Sequence, residues 1–317
     1  MSLTSSRSFY KKFRNKVDNV FHNYPKLPKT LPREDSLPLQ IGSGISVKNY
    51  NTFLERNEKV GYKFRWDQGR VYIVEMANMD HECVVSILMD CFKAPNNGVL
   101  RGPIKVCGQP FHYNPINHRE KIAPDIAVFP NSTDVPRPTV PYPGPPPGDT
   151  GFSHARIIAE IANTQDIGAW NTRCELWMRE QYVRYVFGIK LDNVRNNGNR
   201  SMLARLWTRE NPAPAGFVAV TNPDLPGVSV KSWDFGTLLY GTNNPTTCTQ
   251  PGLPLYQVTI PIQAVFWDPP IVINAVTGVR TTNTVGYGVT VPVAITVPNF
   301  VIDLFEIQQE VLDTQRG

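Results

Sequence analysis

The apolar positions fall into stretches of different period, and the periods predict the elements. Ser46 stands ahead of a helical pattern across 47–55 and can cap it. In YKFRWDQGRVYIVEM (62–76), two β-prone runs flank Asp67-Gln68-Gly69, which signals a hairpin. Val84, Val85, Ile87, Leu88, Cys91 and Phe92 follow helical spacing, with Asp80 placed to cap that helix. Short strands are expected near 99–106, 111–113 and 126–129. Residues 155–162 read as a further strand, 171–182 as a helix and 183–191 as another strand. Helices and strands in this order predict a mixed α/β fold, a sheet covered by helices.

The last third has period two. Tyr256, Val258, Ile260, Ile262, Ala264 and Phe266 alternate with polar or small residues, and so do Val285, Tyr287, Val289, Val291, Val293, Ile295 and Val297. The pattern predicts two long half-buried strands paired antiparallel, with Pro261 and Pro292 marking edges or bends. Asn299 is placed to cap a final helix, FVIDLFEIQQEVLD.

One residue breaks its pattern. Glu160 interrupts the apolar run Ile157, Ile158, Ala159, Glu160, Ile161, Ala162. A carboxylate in a strand that is apolar on both faces is costly unless a cation or donors compensate it. Either Glu160 opens into a site or it is paired structurally. Asp125 begins a second short apolar strand, with Pro124 before it. If the two strands are neighbours, both carboxylates reach one sheet edge and form a hard-oxygen site suited to Mg²⁺ or Mn²⁺. Arg173 on the following helix faces the same end. An Asp, a Glu and a cation are the parts needed to cleave a phosphodiester. Acids near strand ends are also commonly solvated or capping residues.

Charge adds a partner class. The net charge is +5, but residues 1–33 hold eight basic residues against Asp18 alone. The remaining 24 basic and 26 acidic residues nearly cancel. The chain is therefore a near-neutral body with a basic arm, in which Lys11, Lys12, Arg14 and Lys16 can attract nucleic-acid phosphates. Five scattered cysteines without a CxxC pair favour a reducing compartment, nuclear or cytoplasmic. The acid-poor N-terminus leaves an organelle transit peptide open. No apolar run approaches the ~20 residues of a membrane span. The Pro/Gly-rich stretch 131–152 reads as a stiff loop, with a proline-recognition ligand as the other reading.

The ordered series carries a resemblance. SVKNYNTFLE (46–55), the hairpin at 62–76, His81 opening a helix, PDIAVF (124–129), AEIAN (159–163), RCELW (173–177) and RYVFGI (184–189) follow one another as in a restriction-endonuclease family. That family belongs to the PD-(D/E)XK nuclease superfamily, in the branch whose lysine has moved to the helix after the Glu strand. The resemblance covers roughly residues 46–192. It implies a restriction-endonuclease-like core and a Mg²⁺- or Mn²⁺-dependent DNA endonuclease, with Asp125 and Glu160 as metal ligands and Arg173 at the lysine position. The sequence departs from the family where Trp177 stands for Tyr, Asn163 for Ser and Arg173 for Lys. Arg keeps the charge but removes a proton-transfer role.

Other candidates stay open at this point. Glu75 is a third metal acid or a surface ion pair. His81 contacts phosphate, orients a carboxylate or is structural. Asn163 supports the site. The alternative function is a catalytically inactive nuclease-fold protein, a nucleic-acid-binding or self-associating scaffold. Dimerisation fits either class. The expected organisation is an arm and linker at 1–45, a core at 46–200, and a β-rich extension with a C-terminal helix at 201–317.

Overall fold

The computed structural model describes residues 24–58, 60–116, 119–136 and 154–315. The basic arm residues Lys11, Lys12, Arg14 and Lys16, and most of the Pro/Gly-rich stretch 131–152, lie outside them. Two compact units divide at 77/78.

The N-terminal unit is a three-stranded antiparallel sheet with one helix. Strands β1 (Leu39–Gly42), β2 (Tyr62–Asp67) and β3 (Arg70–Met76) lie in the order β1-β3-β2. Gln68 and Gly69 join β2 to β3 with φ of 46° and 84°, the two positive angles that a right-twisted two-residue hairpin needs. Helix α1 (Val47–Arg56) is capped by Ser46, whose hydroxyl accepts from the Asn49 N–H. It buries Tyr50, Phe53 and Leu54, and the Phe53 ring meets Phe64 of β2 edge-on at 4.9 Å. Glu75 belongs to this unit, on β3 opposite Lys63.

The second unit is mixed α/β. Its strands are β4 (Ile104–Gly108), β5 (His112–Tyr113), β6 (Lys121–Ile122), β7 (Ile126–Pro130), β8 (Ile157–Ala162), β9 (Tyr185–Leu191), β10 (Met202–Thr208), β11 (Val218–Ala219), β12 (Ser229–Asp234), β13 (Gln257–Pro261), β14 (Ile271–Ile273), β15 (Arg280–Thr282) and β16 (Asn299–Asp303). Seven of them form the main sheet in the order β11-β12-β10-β9-β8-β7-β4. Strands β8 and β9 run parallel, and the other neighbouring pairs are antiparallel. Helices α2 (Met79–Lys93), α3 (Ile167–Trp177) and α4 (Leu304–Thr314) complete the unit.

Burial on both faces explains the apolar runs. One core gathers Val84, Leu88 and Phe92 of α2 with Ile307 and Val311 of α4 against Ala159, Ile161 and Phe187. The other gathers Trp170, Cys174 and Trp177 of α3 against Ile158, Ala162 and Val186. Alternate residues of β8 thus feed opposite cores, which is why the strand reads as continuously apolar. Among the described residues, no helix is long and apolar enough to cross a membrane.

Several expected boundaries moved. Asn78, not Asp80, caps α2, because the Asn78 side chain accepts from the His81 N–H at 3.0 Å. Helix α3 begins earlier than expected, with Asp166 accepting from Ala169 N at 2.9 Å, and ends at Trp177. The expected boundary at 200 runs between β9 and β10, adjacent strands of one sheet with Met202 opposite Leu191.

The C-terminal third departs most. The expected pairing of 256–266 with 285–297 does not occur. Strand β13 stops at Pro261 and pairs with β16, Gln257 opposite Asp303. Residues 262–266 turn into a short 3₁₀ segment, and 285–297 form no strand. Proline supplies no ladder donor, and Gly286 adopts φ of +70°. Val285 and Val293 are 89% and 96% exposed, so the alternation there buries no continuous face. Asn299 opens β16 rather than a helix; Phe300 and Ile302 are buried there and Val301 is exposed. Helix α4 starts at Leu304, capped by Asp303.

Candidate functional site: two carboxylates on adjacent strands

Strands β7 and β8 are neighbours, with Ile126 opposite Ala159 and Ala127 opposite Ile158. One further step in that register sets Asp125 across from Glu160. Directly opposed residues of an antiparallel pair project to the same face. Asp125 and Glu160 are both about 1% exposed.

Helix α3 delivers the cation. Glu160 sits beside Gly188 in the parallel β8–β9 register. A Cβ at Gly188 would stand 2.6 Å from the Trp170 ring and 3.0 Å from Cys174 Sγ. Only glycine lets α3 approach β9 this closely. The approach brings Arg173 and Trp177 onto Glu160: Arg173 Nε donates to Oε1 at 3.0 Å, and the Trp177 indole N–H donates to the same oxygen. Arg173 also donates to the Ala123 carbonyl at 2.8 Å and stacks over the Trp177 ring at 5.1 Å. Its side chain keeps 20% of its surface exposed.

Asp125 is held from two elements. Its Oδ2 accepts from the Ile161 N–H at 2.7 Å. Its Oδ1 lies 3.4 Å from Nε2 of His81, in the first turn of α2, and His81 Nδ1 lies 3.0 Å from Glu82. His81 therefore stands between two carboxylates. Asn163, three residues beyond Glu160, is engaged by two cations. Its Oδ1 accepts from Arg200 at 2.8 Å, and its carbonyl accepts from Lys190 Nζ at 2.7 Å. Glu75 belongs to the N-terminal unit and is described there.

Two neighbours of Glu160 and Arg173, and one further buried charge on β9, escaped the sequence. Trp177, placed by the sequence at the family's Tyr position without a stated role, sends its N–H to Glu160. Lys190 sits opposite Ala162 on β9, nine-tenths buried, in a run (VFGIKL) that breaks its apolar pattern just as Glu160 does. His112 stacks on Phe129 and meets the Trp177 ring edge-on at 5.5 Å. Burial pushes its pKa down to about 4, against the bond to the Pro110 carbonyl, and the Arg173 charge lowers it further. His112 is therefore a neutral wall beside the arginine at neutral pH.

Two carboxylates are the right donor type for a hard divalent cation, and Mg²⁺ takes as few as one or two with waters completing its shell. Among the described residues, no group of three or more His, Cys, Asp or Glu could hold a metal. In this arrangement the cation on Glu160 is Arg173.

No family model matches the chain, and no curated protein does. Among solved structures, it is similar to a crystal structure from Anabaena variabilis described as "a putative nuclease belonging to DUF820". The likeness has a TM-score of 0.33 and 12% identity, covering 57% of this chain and 91% of that one.

Proposed function

We propose that the Asp125–Glu160 centre is a nuclease-type site for cleaving DNA phosphodiesters. The observation that carries the reading is a buried carboxylate on β8 and another on the residue just before β7, across from it when the β7–β8 register is extended by one step, with the Arg173 guanidinium on Glu160. Asp125 and Glu160 would hold Mg²⁺ or Mn²⁺, which supplies an activated water and neutralises developing charge. The chain's own residues do the rest. The Ile161 N–H and His81 fix the Asp125 carboxylate. Arg173, with a fifth of its side chain exposed, is the cation that can leave Glu160 for a phosphate and stabilise its charge there. A guanidinium does not shuttle protons at neutral pH, so Arg173 acts through charge alone. Lys11, Lys12, Arg14 and Lys16 of the arm would add sequence-independent attraction, which weakens as salt rises.

The test is calorimetric titration of Mg²⁺ and Mn²⁺ into wild type and Asp125→Ala/Glu160→Ala, with plasmid nicking alongside. Binding and nicking, both abolished in the double variant, are expected. A wild type that takes up neither ion sinks the hydrolytic reading.

A second reading has its own observation. One Glu160 oxygen already accepts from both Arg173 and Trp177 inside the protein. An internally compensated carboxylate suits a catalytically silent nuclease fold, a nucleic-acid-binding or self-associating scaffold. On this reading wild type binds no metal, whereas Arg173→Ala uncovers metal binding without nicking. Self-association is read from the native mass.

A further inference from the structure

A second charged constellation lies at the opening ends of β9 and the closing end of β10. Tyr185 opposes Thr208 in the antiparallel register, and one further step sets Arg184 across from Arg209. The backbone extends the pairing, since Arg209 N donates to the Arg184 carbonyl at 3.2 Å, and the Arg184 side chain donates from Nη2 to the Arg209 carbonyl at 3.1 Å. Like charges directly opposed on neighbouring strands repel.

Among the described residues, no carboxylate within ion-pair distance offsets that repulsion. Arg156, Arg173, Arg179 and Arg200 each have a carboxylate within 4.0 Å. Arg184 and Arg209 have none within that distance among the described residues. Arg209 Nε is buried without a hydrogen-bond partner among them. The carboxylates that do influence the pair are Glu210, felt by Arg184, and Glu180, felt by Arg209. Burial pushes the Glu180 pKa up to about 8, so that group is largely uncharged at neutral pH. Burial and then Arg184 lower the Arg209 pKa to about 10. Arg156 adds a further positive charge near Arg184, but its own guanidinium is engaged by Asp268 at 2.9 Å.

We infer that Arg184 and Arg209 form a binding site for a phosphate group, with the Trp267 ring holding the Arg184 guanidinium in plane. The ring centroid lies 4.6 Å from Arg184 Cζ, and the edge of Tyr182 packs against Trp267 at 5.3 Å. A guanidinium braced on an aromatic face loses little freedom on binding, and its fork matches two oxygens of a tetrahedral oxyanion. Such an anion between the two arginines removes the repulsion and gives the buried Nε–H an acceptor. The site is independent of the Asp125–Glu160 centre, since Glu160 pairs with Gly188, farther along β9.

The test uses the full chain and two probes. Inorganic phosphate is titrated by calorimetry against chloride at matched ionic strength, into wild type, Arg184→Gln and Arg209→Gln. Saturable binding by wild type, weakened about tenfold or more in each variant, is expected. A phosphate response equal to chloride in wild type overturns the proposal, as does binding that survives both substitutions. The wild-type comparison stands even where a variant folds poorly. A short single-stranded oligonucleotide supplies the second arm. Its displacement by phosphate assigns the site to phosphodiesters, and phosphate binding without oligonucleotide binding assigns it to a free phosphate group. An independent readout is thermal: in chloride, Arg209→Gln unfolds no earlier than wild type, because one of two repelling charges is gone. Marked destabilisation there means that Arg209 is structural and overturns the site.

Discussion

Glu160 and Glu180 are both buried glutamates of the second unit, and the structure treats them in opposite ways. Glu160 meets a guanidinium and an indole N–H on one oxygen. Glu180 has His154 at 3.5 Å, and its pKa is raised to about 8 by burial, with only a partial counter-effect from Arg209. His154 is itself held well below its ordinary value, first by burial and then by Arg156, so it brings no positive charge at neutral pH. Equal burial therefore yields one compensated carboxylate and one protonated carboxyl. Donors and cations decide the state of a buried acid, not depth alone.

The comparison breaks most readily at Arg173. Removing it leaves Glu160 as a buried charge without its cation. Arg173→Ala should cost about 3 kcal/mol, at the low end for broken buried pairs because part of the arginine faces solvent. Urea unfolding at neutral pH measures it. A loss under about 1 kcal/mol would mean that Glu160 finds other compensation. Next in size is Trp177→Phe, which keeps a ring but deletes the N–H. A hydrogen bond to a charged group contributes about 2 kcal/mol. Both side chains act on one oxygen, so the double variant should lose less than the two single losses together. Strict additivity would show that they act separately.

Glu180 tests the other half. Glu180→Gln imitates a protonated carboxyl, so at neutral pH it should change stability by less than about 1 kcal/mol. The pH profile is more discriminating. The unfolded chain releases this proton near 4.5, whereas the folded protein holds it to about 8. Between those values the native state carries the extra proton, so the Glu180 contribution is full below 4.5 and declines as pH rises toward 8. His112 and His154, both lowered, act in the opposite sense: unfolded histidines take up protons below about 6.5 and their contribution falls with acid. Subtracting the Glu180→Gln profile from that of wild type isolates the first term. A flat difference between pH 5 and 8 would place Glu180 with the ionised acids.

The sequence showed the anomaly at Glu160 because a lone carboxylate in Ile157–Ala162 breaks an otherwise apolar pattern. It located the short strand just after Asp125 because a proline and four apolar residues mark it. The same logic applied to VFGIKL would have found Lys190. What local pattern cannot hold is distance along the chain. Asp80 looked like a helix cap, yet it pairs with Arg200, and Thr314 Oγ1 donates to it at 2.6 Å. The Arg184–Arg209 opposition likewise exists only once β9 and β10 pair. In the C-terminal third, period two in 285–297 was real, but alternation states which face a strand would bury, not whether a ladder partner exists. Glycines and prolines removed that partner.

The smallest effect sharpens the lesson from outside the core. Arg179 and Asp224 are closer than Arg173 and Glu160, at 2.6 Å against 3.0 Å. Distance alone would rank the exposed pair stronger. Yet Arg179 is 29% and Asp224 63% exposed, so water screens the attraction and competes for both groups. Arg179→Ala should therefore cost no more than about 0.5 kcal/mol, and added salt should erase even that. In the same urea series, Arg173→Ala should keep most of its larger penalty at high salt, because the Glu160 side chain is 2% exposed. If the two variants lose similar stability, or respond alike to salt, then the enclosure of Glu160 by α3 contributes nothing beyond a surface contact, and the contrast with Glu180 loses its physical basis.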